Sequence, residues 1–396
     1  MCHGAGFNVL ILTRMEMVQE SSGAIQSSRQ RRAAHTEIDR LPALDGIRAV
    51  AIALVLIGHI LYAFGPFRNG GTLVGEAGVT IFFVLSGFLV TRVMLLDEAR
   101  TGRLRLGRFY CRRALRIFPA FYAFLIVSFV LSVFGAFEQP DRKTWLASAL
   151  YFRNLAGDGW NTGHLWSLSL EEQFYFFWPA IFLLLAGRKR RLLFIGAAVV
   201  AATAGRLAWI ASLSSPLPPF AIQQIHYTPQ FRMDTFLIGA AFAIANWEWT
   251  RALEPRFIIP FLAIWFETAP FHRATLPVDT AVTAFGVGAL ILWLVQNPQL
   301  RPAFHLSRPA VVYLGAISYS LYLWQQLFLG PHLRWWSLAA VAVCAICSYH
   351  LIERPFLRWK ERLQVPPPAT RIPSDPGIFS SRHPALSITG HLPMAT

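Results

Sequence analysis

Charge is scarce in this chain. Only 14% of its 396 residues are Asp, Glu, Lys or Arg, against about 25% in an ordinary soluble domain. Lysine is nearly absent, occurring only at Lys143, Lys189 and Lys360. Hydrophobic residues make up 55%, and mean hydropathy is +0.44. A soluble globular class is excluded: apolar runs of membrane-spanning length recur from residue 46 to 354, too long and too frequent for one core. Cysteine is also rare. Cys2, Cys111, Cys344 and Cys347 are the four, and they fit neither a disulfide framework nor a zinc site. Cys344 and Cys347 form a CxxC inside an apolar helix, where two small packing residues are the plain reading.

Acidic residues are the scarcer sign, 21 against 36 basic, for a net charge of +15. The excess does not form a nucleic-acid-binding patch. The basic residues fall in loops between apolar segments, the distribution of a membrane protein with basic cytoplasmic loops. Nucleic acid is therefore not an expected partner, and the lipid bilayer is.

The pattern predicts an all-α, polytopic transmembrane helical bundle. Ten spans are expected, at about 46–65, 76–96, 117–136, 167–187, 192–213, 229–247, 257–271, 278–297, 311–329 and 336–354. The seventh is interrupted by Pro260. With both termini in the cytoplasm, the inner loops carry Arg100 to Arg116, Arg188 to Arg191, Arg251, Arg256, Arg301 and Arg308. The outer loops carry far fewer. In the longest outer loop, 137–163, an amphipathic stretch near Trp145–Asn154 is expected along the membrane surface. Residues 1–40, which include the basic run Arg29–Arg32, read as a disordered cytoplasmic extension; their apolar stretch precedes the basic cluster, the reverse of a secretory signal. Residues 41–363 form the transmembrane domain, and 364–396 a polar, Pro-rich disordered tail.

Four stretches carry chemistry. The first is LPALDGIRAVAIALVLIGHI, residues 41–60. Arg48 and His59 are eleven residues apart, about three turns, so they share a helix face about 16 Å apart along the axis. Asp45 and Arg48 make an i, i+3 ion pair. The plainer readings are a helix cap for Asp45, a headgroup anchor for Arg48 and a packing role for His59. The sharper reading makes His59 a general base. The second is FYCRRALRIFPAFY, residues 109–122. Arg113 and Arg116 lie on one face at the cytoplasmic start of a helix and suit a polyphosphate, which guanidinium groups bind bidentately; a membrane anchor is the alternative. No cluster with metal-ligand spacing occurs.

The third is VTIFFVLSGFLVTR, residues 79–92. Ser86 and Gly87 read first as small residues allowing close helix contact. A nucleophilic Ser86 needs a neighbouring base, and His59 is expected at comparable depth. The fourth is HLWSLSLEEQFYFFW, residues 164–178. Glu171 either favours a helix N-terminus, or orients a histidine or binds an acceptor on the outer side. Trp166, Tyr175 and Trp178 form an interfacial belt or a sugar-stacking platform. With Asp45, Ser86 and His164, Trp166 and Tyr175 complete the candidate substrate-contacting set. Arg206, Arg232, Asp234 and ISYSLYLWQQ (317–326) read as bundle-lining polar contacts.

Six motifs in order resemble acyltransferase family 3, the integral-membrane acyltransferases that include bacterial O-antigen and surface-glycan O-acetyltransferases. They are LDGIRAVAI with Arg48-x10-His59, FFVLSGFL, RRALRIFPAFY, HLWSLSLEEQFY, FRMDTFLIGA and SYSLYLW, over about residues 41–355. The resemblance implies a multi-pass protein of the bacterial inner (plasma) membrane. It implies transfer of an acyl group, usually acetyl, from cytoplasmic acyl-CoA to a saccharide hydroxyl, with macrolide-like small molecules as alternative acceptors. Acetyl-CoA is then a donor substrate, and no tightly bound cofactor is expected. On this resemblance Arg48 and His59 match the functional Arg-x10-His pair, Arg113 and Arg116 the Arg-x-x-Arg motif implicated in CoA handling, and Glu171 the acidic residue of E-x-Q-F-Y. Gln325 stands where many members carry histidine after YLW. A glycolipid transporter or flippase is the competing class, since it too needs many spans and intramembrane charges; such proteins often show inverted repeats, and no matching halves are visible.

Overall fold

The structure is a computed structural model that describes residues 41–64, 68–137, 139–157, 159–213, 224–256, 258–259, 262, 276–330 and 333–362. The expected N-terminal extension, the C-terminal tail and nearly all of the expected seventh span lie outside these residues. Among the described residues there are helices and no strand.

Pro42, with its preset φ, opens α1 (Pro42–Ala63) at the first turn. α2 (Arg68–Thr101) and α3 (Leu106–Val133) follow. Asp141 caps the short α4 (Arg142–Ala149), its Oδ1 accepting from the Thr144 amide at 2.7 Å. α5 (Leu165–Leu184), α6 (Arg188–Ser212) and α7 (Pro229–Ala245) come next. Asn246, in the left-handed conformation at φ 43°, stops α7. After a 3-10 turn at Glu248–Ala252 come α8 (Leu276–Gln296), α9 (Arg301–Leu306), α10 (Pro309–Ala316), α11 (Ser318–Phe328) and α12 (Ser337–Ser348). α12 passes through a π-helical turn, Tyr349–Glu353, into α13 (Arg354–Arg362).

Among the described residues, six helices are long and apolar enough to cross a membrane: α1, most of α2, α3, α6, most of α8, and α12 with its extension to Trp359. Three expectations need correcting. α3 begins eleven residues before the expected Ile117, because the basic run Arg108–Arg116 is itself helical. Arg113 and Arg116 are therefore two and nearly three turns inside the helix. The expected ninth span is two helices, divided at Ile317. The helix in the amphipathic stretch expected over Trp145–Asn154 ends at Ala149. After α4 the chain enters the bundle, and Arg153, Asn154, Asn161 and Thr162 are buried. There Arg153 donates to the carbonyls of Ala156, Gly157 and Gly159 at 3.0, 2.8 and 3.2 Å.

α2 is the helix the others gather around. It packs on α1, α5, α7 and α8. Bare backbones make the closest approaches: Gly58 of α1 lies on Gly75 of α2, Gly87 of α2 on the Phe236 backbone of α7, and Gly239 of α7 on the Val84 carbonyl. The expected role of Gly87 as a close-contact residue is thus met. Between these contacts lies an aromatic core, with Phe83 stacked on Phe236 at 4.3 Å and Phe236 on Phe174 at 4.8 Å. α6 is tied to α7 by the fully buried Arg206–Asp234 pair at 2.8 Å. Arg191, at the start of α6, makes two bonds to Glu98 of α2, at 2.8 and 2.9 Å.

A side chain at Gly87 must push α2 from α7, because it meets backbone that no rotamer can move. Gly87→Val is expected to cost about 1–3 kcal/mol through overpacking. Gly196→Ala, which faces open space on α6, is expected to hold or slightly raise stability. Thermal unfolding of the detergent-solubilised protein checks the contrast.

Candidate active site

Two polar sites lie inside the bundle, and α1 connects them. The first gathers three arginines: Arg48 of α1 with Arg113 and Arg116 of α3. Each feels the charge of the others, and Asp45, Glu171, Glu172 and Glu353 stand among them. Arg48 is ion-paired with Asp45, as the i, i+3 spacing predicts. Arg113 approaches Glu171 to 3.8 Å, and its guanidinium lies over the Tyr175 ring, 3.4 Å from the centroid. The Arg113 Nε is buried with no hydrogen-bond partner.

Glu171 therefore does not sit on the outer side, apart from the arginines. It is six residues inside α5, at mid-height, where Oε1 accepts from Ser86 Oγ and from the Tyr175 hydroxyl. Tyr175 also bonds Ser86 at 2.7 Å. The early start of α3 carries the arginines inward to meet it. The outer placement expected for Glu171 is overturned by this contact, and so is the belt or platform reading of Tyr175.

The proposed Ser86–His59 pairing also fails. α1 and α2 run antiparallel, with Gly58 beside Gly75 and Val55 beside Gly78. That register sets Ser86 level with about residue 47, roughly 18 Å along α1 from His59. Ser86 instead serves the Glu171 cluster. Glu353, in the π-helical turn, closes the site from α12, where Ser320 of α11 bonds its carboxylate. A buried carboxylate in a π-helical turn fits a functional position, and sequence reading passed over Glu353.

The second site surrounds His59, four residues before the end of α1 and so near the far end of the bundle. His59 Nδ1 is 2.9 Å from the Val55 carbonyl. A carbonyl only accepts, so Nδ1 carries the proton and Nε2 keeps its lone pair. The ring meets Trp160 edge-on at 6.1 Å, and Trp160 stacks on Tyr62 at 5.5 Å. Glu76 of α2 lies within electrostatic reach of His59. Glu76 in turn is 3.3 Å from Arg232 of α7 and 3.6 Å from His226. Glu76 and His226 carried no sequence signal beyond being single polar residues; only packing brings them to His59.

His164 is buried behind this site. Its amide donates to Gln326 Oε1 at 3.0 Å, and its Nε2 is 3.1 Å from the Leu323 carbonyl. Trp166 stacks on Tyr227 at 4.5 Å and meets Phe83 edge-on, so it is a packing residue of the core. The side chain of Gln325 is fully buried, with neither amide atom hydrogen-bonded. Among the described residues no group of three or more metal-ligating side chains forms.

Residues 41–349 match the family model described as Acyltransferase domain, acyltransferase family 3. The chain belongs to that family. Over 322 residues it is 29% identical to the peptidoglycan O-acetyltransferase OatA of Listeria monocytogenes, covering 72% of this chain and 48% of that protein. A Bacillus subtilis protein with a provisional peptidoglycan O-acetyltransferase designation is 27% identical over 362 residues, 80% of this chain and 54% of its own length. A Staphylococcus aureus protein provisionally designated an O-acetyltransferase is 26% identical over 364 residues, 80% of this chain and 57% of its own. The chain thus spans about half the length of the curated relatives it matches. No solved structure matches it.

If Arg113 and Glu171 are partners, removing both must cost less than the sum of removing each. Glu171→Ala alone is expected to lose about 2 kcal/mol, since it strips an acceptor from two hydroxyls and a counter-charge from Arg113. Combined with Arg113→Ala, a coupling of about 0.5–3 kcal/mol is expected. A double-mutant cycle of thermal stability reads it, and strict additivity would remove the pair from the site.

Proposed function

We propose that this chain is a membrane O-acyltransferase that moves an acyl group, in the first instance acetyl, from acyl-CoA to a hydroxyl of an envelope saccharide. The observation that carries the reading is the pairing of two unlike sites on one helix. The arginine cluster, at the end that bears most of the basic loops, suits the phosphates of CoA. His59, about 16 Å further along α1, suits proton transfer. That separation is one an extended pantetheine arm covers, so the thioester reaches the histidine while the nucleotide stays among the arginines. The family membership supports acyl transfer. The printed name of the Listeria relative supports an envelope glycan as the acceptor. The basic loops support a plasma-membrane protein with its arginine cluster facing the cytoplasm.

In this reading Arg113 and Arg116 hold the CoA phosphates. Glu171, fixed by Ser86 and Tyr175, holds Arg113 in place. Asp45 does the same for Arg48. In direct transfer, His59 Nε2 takes the acceptor hydroxyl proton as the oxygen attacks the thioester carbonyl. The carbon–sulfur bond breaks, the new ester forms, and the CoA thiolate recovers the proton from the imidazolium. In the covalent route, Nε2 attacks the carbonyl first, the carbon–sulfur bond breaks and CoA thiolate leaves; the acceptor oxygen then attacks the acyl carbon, the carbon–nitrogen bond breaks, and the hydroxyl proton passes to the released Nε2 and on to the thiolate. A burst of CoA release with acyl-CoA alone separates the two routes.

The test is ester-linked acetyl on envelope saccharides in cells lacking the gene. Wild type is expected to restore it. His59→Ala, inserted at the wild-type level, is expected to fall at least about 100-fold, the low end of general acid–base catalysis. Equal restoration by both would sink the assignment of His59. Acetyl-CoA is also expected to stabilise the purified protein thermally, which a glycolipid transporter does not predict.

A further inference from the structure

The Gly58–Gly75 contact does more than close α1 on α2. The two helices run antiparallel and meet backbone to backbone at this point. One residue further along each helix the side chain has turned by about 100°. In an antiparallel pair those two turns carry the side chains to the same side of the pair. The residues so placed are His59 and Glu76. Side chains also lean toward the N-terminus of their own helix, and with opposed helices that lean tips the two toward each other. Two glycines thus bring an imidazole and a carboxylate together, and each feels the other's charge.

Glu76 is held from its other side. Arg232 of α7 lies 3.3 Å from its Oε2, and His226, just ahead of α7, lies 3.6 Å from its Oε1. Arg232 is itself anchored, donating to Thr80 Oγ1 at 2.8 Å. The cavity beside them, also lined by Asp279 and Thr283 of α8, has about 10 Å³ of space, room for at most one water. Glu76 therefore belongs to a packed network and not to a ligand site. Tyr227 and Tyr322 of α11 also feel its charge. Around His59 the other titratable group is His164, just ahead of α5, and the Trp160 ring is an uncharged neighbour. Among the described residues Glu76 is the one carboxylate whose charge His59 feels.

We propose that Glu76 is a positioning residue for the transfer, a fixed counter-charge for the imidazolium that His59 becomes. Its purpose rests on the acyl-transfer reading above; the coupling of the two charges does not. In either route His59 turns cationic. It takes the hydroxyl proton at Nε2, or it carries the acyl group there while Nδ1–H still donates to the Val55 carbonyl, 2.9 Å away. A carboxylate fixed beforehand in an apolar bundle stabilises such a cation more than one in water does, and it need not reorganise as the charge develops. Glu76 touches no substrate and takes no proton. Arg232 and His226 keep its carboxylate in place.

The test reads the charge on His59 without any turnover. Diethyl pyrocarbonate reacts with neutral imidazole and not with imidazolium, so its reaction at His59, followed by peptide mass spectrometry over a pH series in lipid nanodiscs, reports protonation of that ring. In Glu76→Gln the half-maximal reaction is expected at a pH lower than in wild type by at least about half a unit. Glu76→Asp, which keeps the charge, is expected to recover most of the wild-type profile. Glu76→Gln combined with Arg232→Met leaves no unpaired buried charge and is expected to move the profile the same way, so the test survives if the single variant fails to fold. In acetyl transfer, Glu76→Gln is expected to lower kcat about tenfold, with the KM for acetyl-CoA within about twofold of wild type. Profiles that overlay wild type overturn the proposal, and so does a shifted profile with kcat unchanged. A protein that transfers no acetyl group overturns the acyl-transfer reading alone, and the profiles still decide whether Glu76 is the counter-charge of His59.

Discussion

A guanidinium inside an apolar bundle must find its counter-charge there, because bulk water is out of reach and an unpaired buried charge costs several kcal/mol. Most of this chain's architecture follows from that constraint. Arg206 meets Asp234 with both side chains fully buried. Arg191 closes on Glu98, and Arg153 is wrapped by loop carbonyls. These contacts are well matched, and they join neighbouring elements: α6 to α7, α6 to α2, and the 150–164 loop to itself. They stabilise geometry.

Two places are matched less completely. Arg113 and Arg232 each have a counter-ion, yet each keeps a buried Nε with no partner. The two lie at different heights in the bundle. One belongs to the arginine cluster with Glu171, the other to the cavity beside His59. Incomplete pairing is costly in a finished structure and useful in a binding site, where the ligand supplies the missing partner. Both open donors lie within family motifs, RRALRIFPAFY and FRMDTFLIGA.

α2 connects these places. Gly75 brings it against α1, so that Glu76 and His59 are neighbours; Gly87 brings it against α7; Ser86, next to Gly87, turns to Glu171 on α5. One small-residue stretch thus sets helix separation and supports a charged cluster. The motif FFVLSGFL is constrained by both demands, and neither its serine nor its glycine can be exchanged without moving a site.

The sequence by itself determined the class of the molecule. Scarce charge and long apolar runs require a helical membrane bundle, since a chain in lipid must satisfy its backbone internally. Spacing alone also gave the Asp45–Arg48 pair, because i, i+3 geometry is local. The family motifs named His59, Arg113, Arg116 and Glu171. Tertiary structure alone decided what those residues meet. Hydropathy reads Arg108–Arg116 as loop, whereas the run is helical and takes Arg113 inward to Glu171. Depth along separate helices made Ser86 and His59 look level, while the Gly58–Gly75 register sets them well apart. Glu76, His226, Asp279 and Glu353 were single polar residues with no local pattern. They became parts of sites only when helices far apart in sequence were packed, since an electrostatic partner across a helix interface leaves no periodic mark in the chain that carries it.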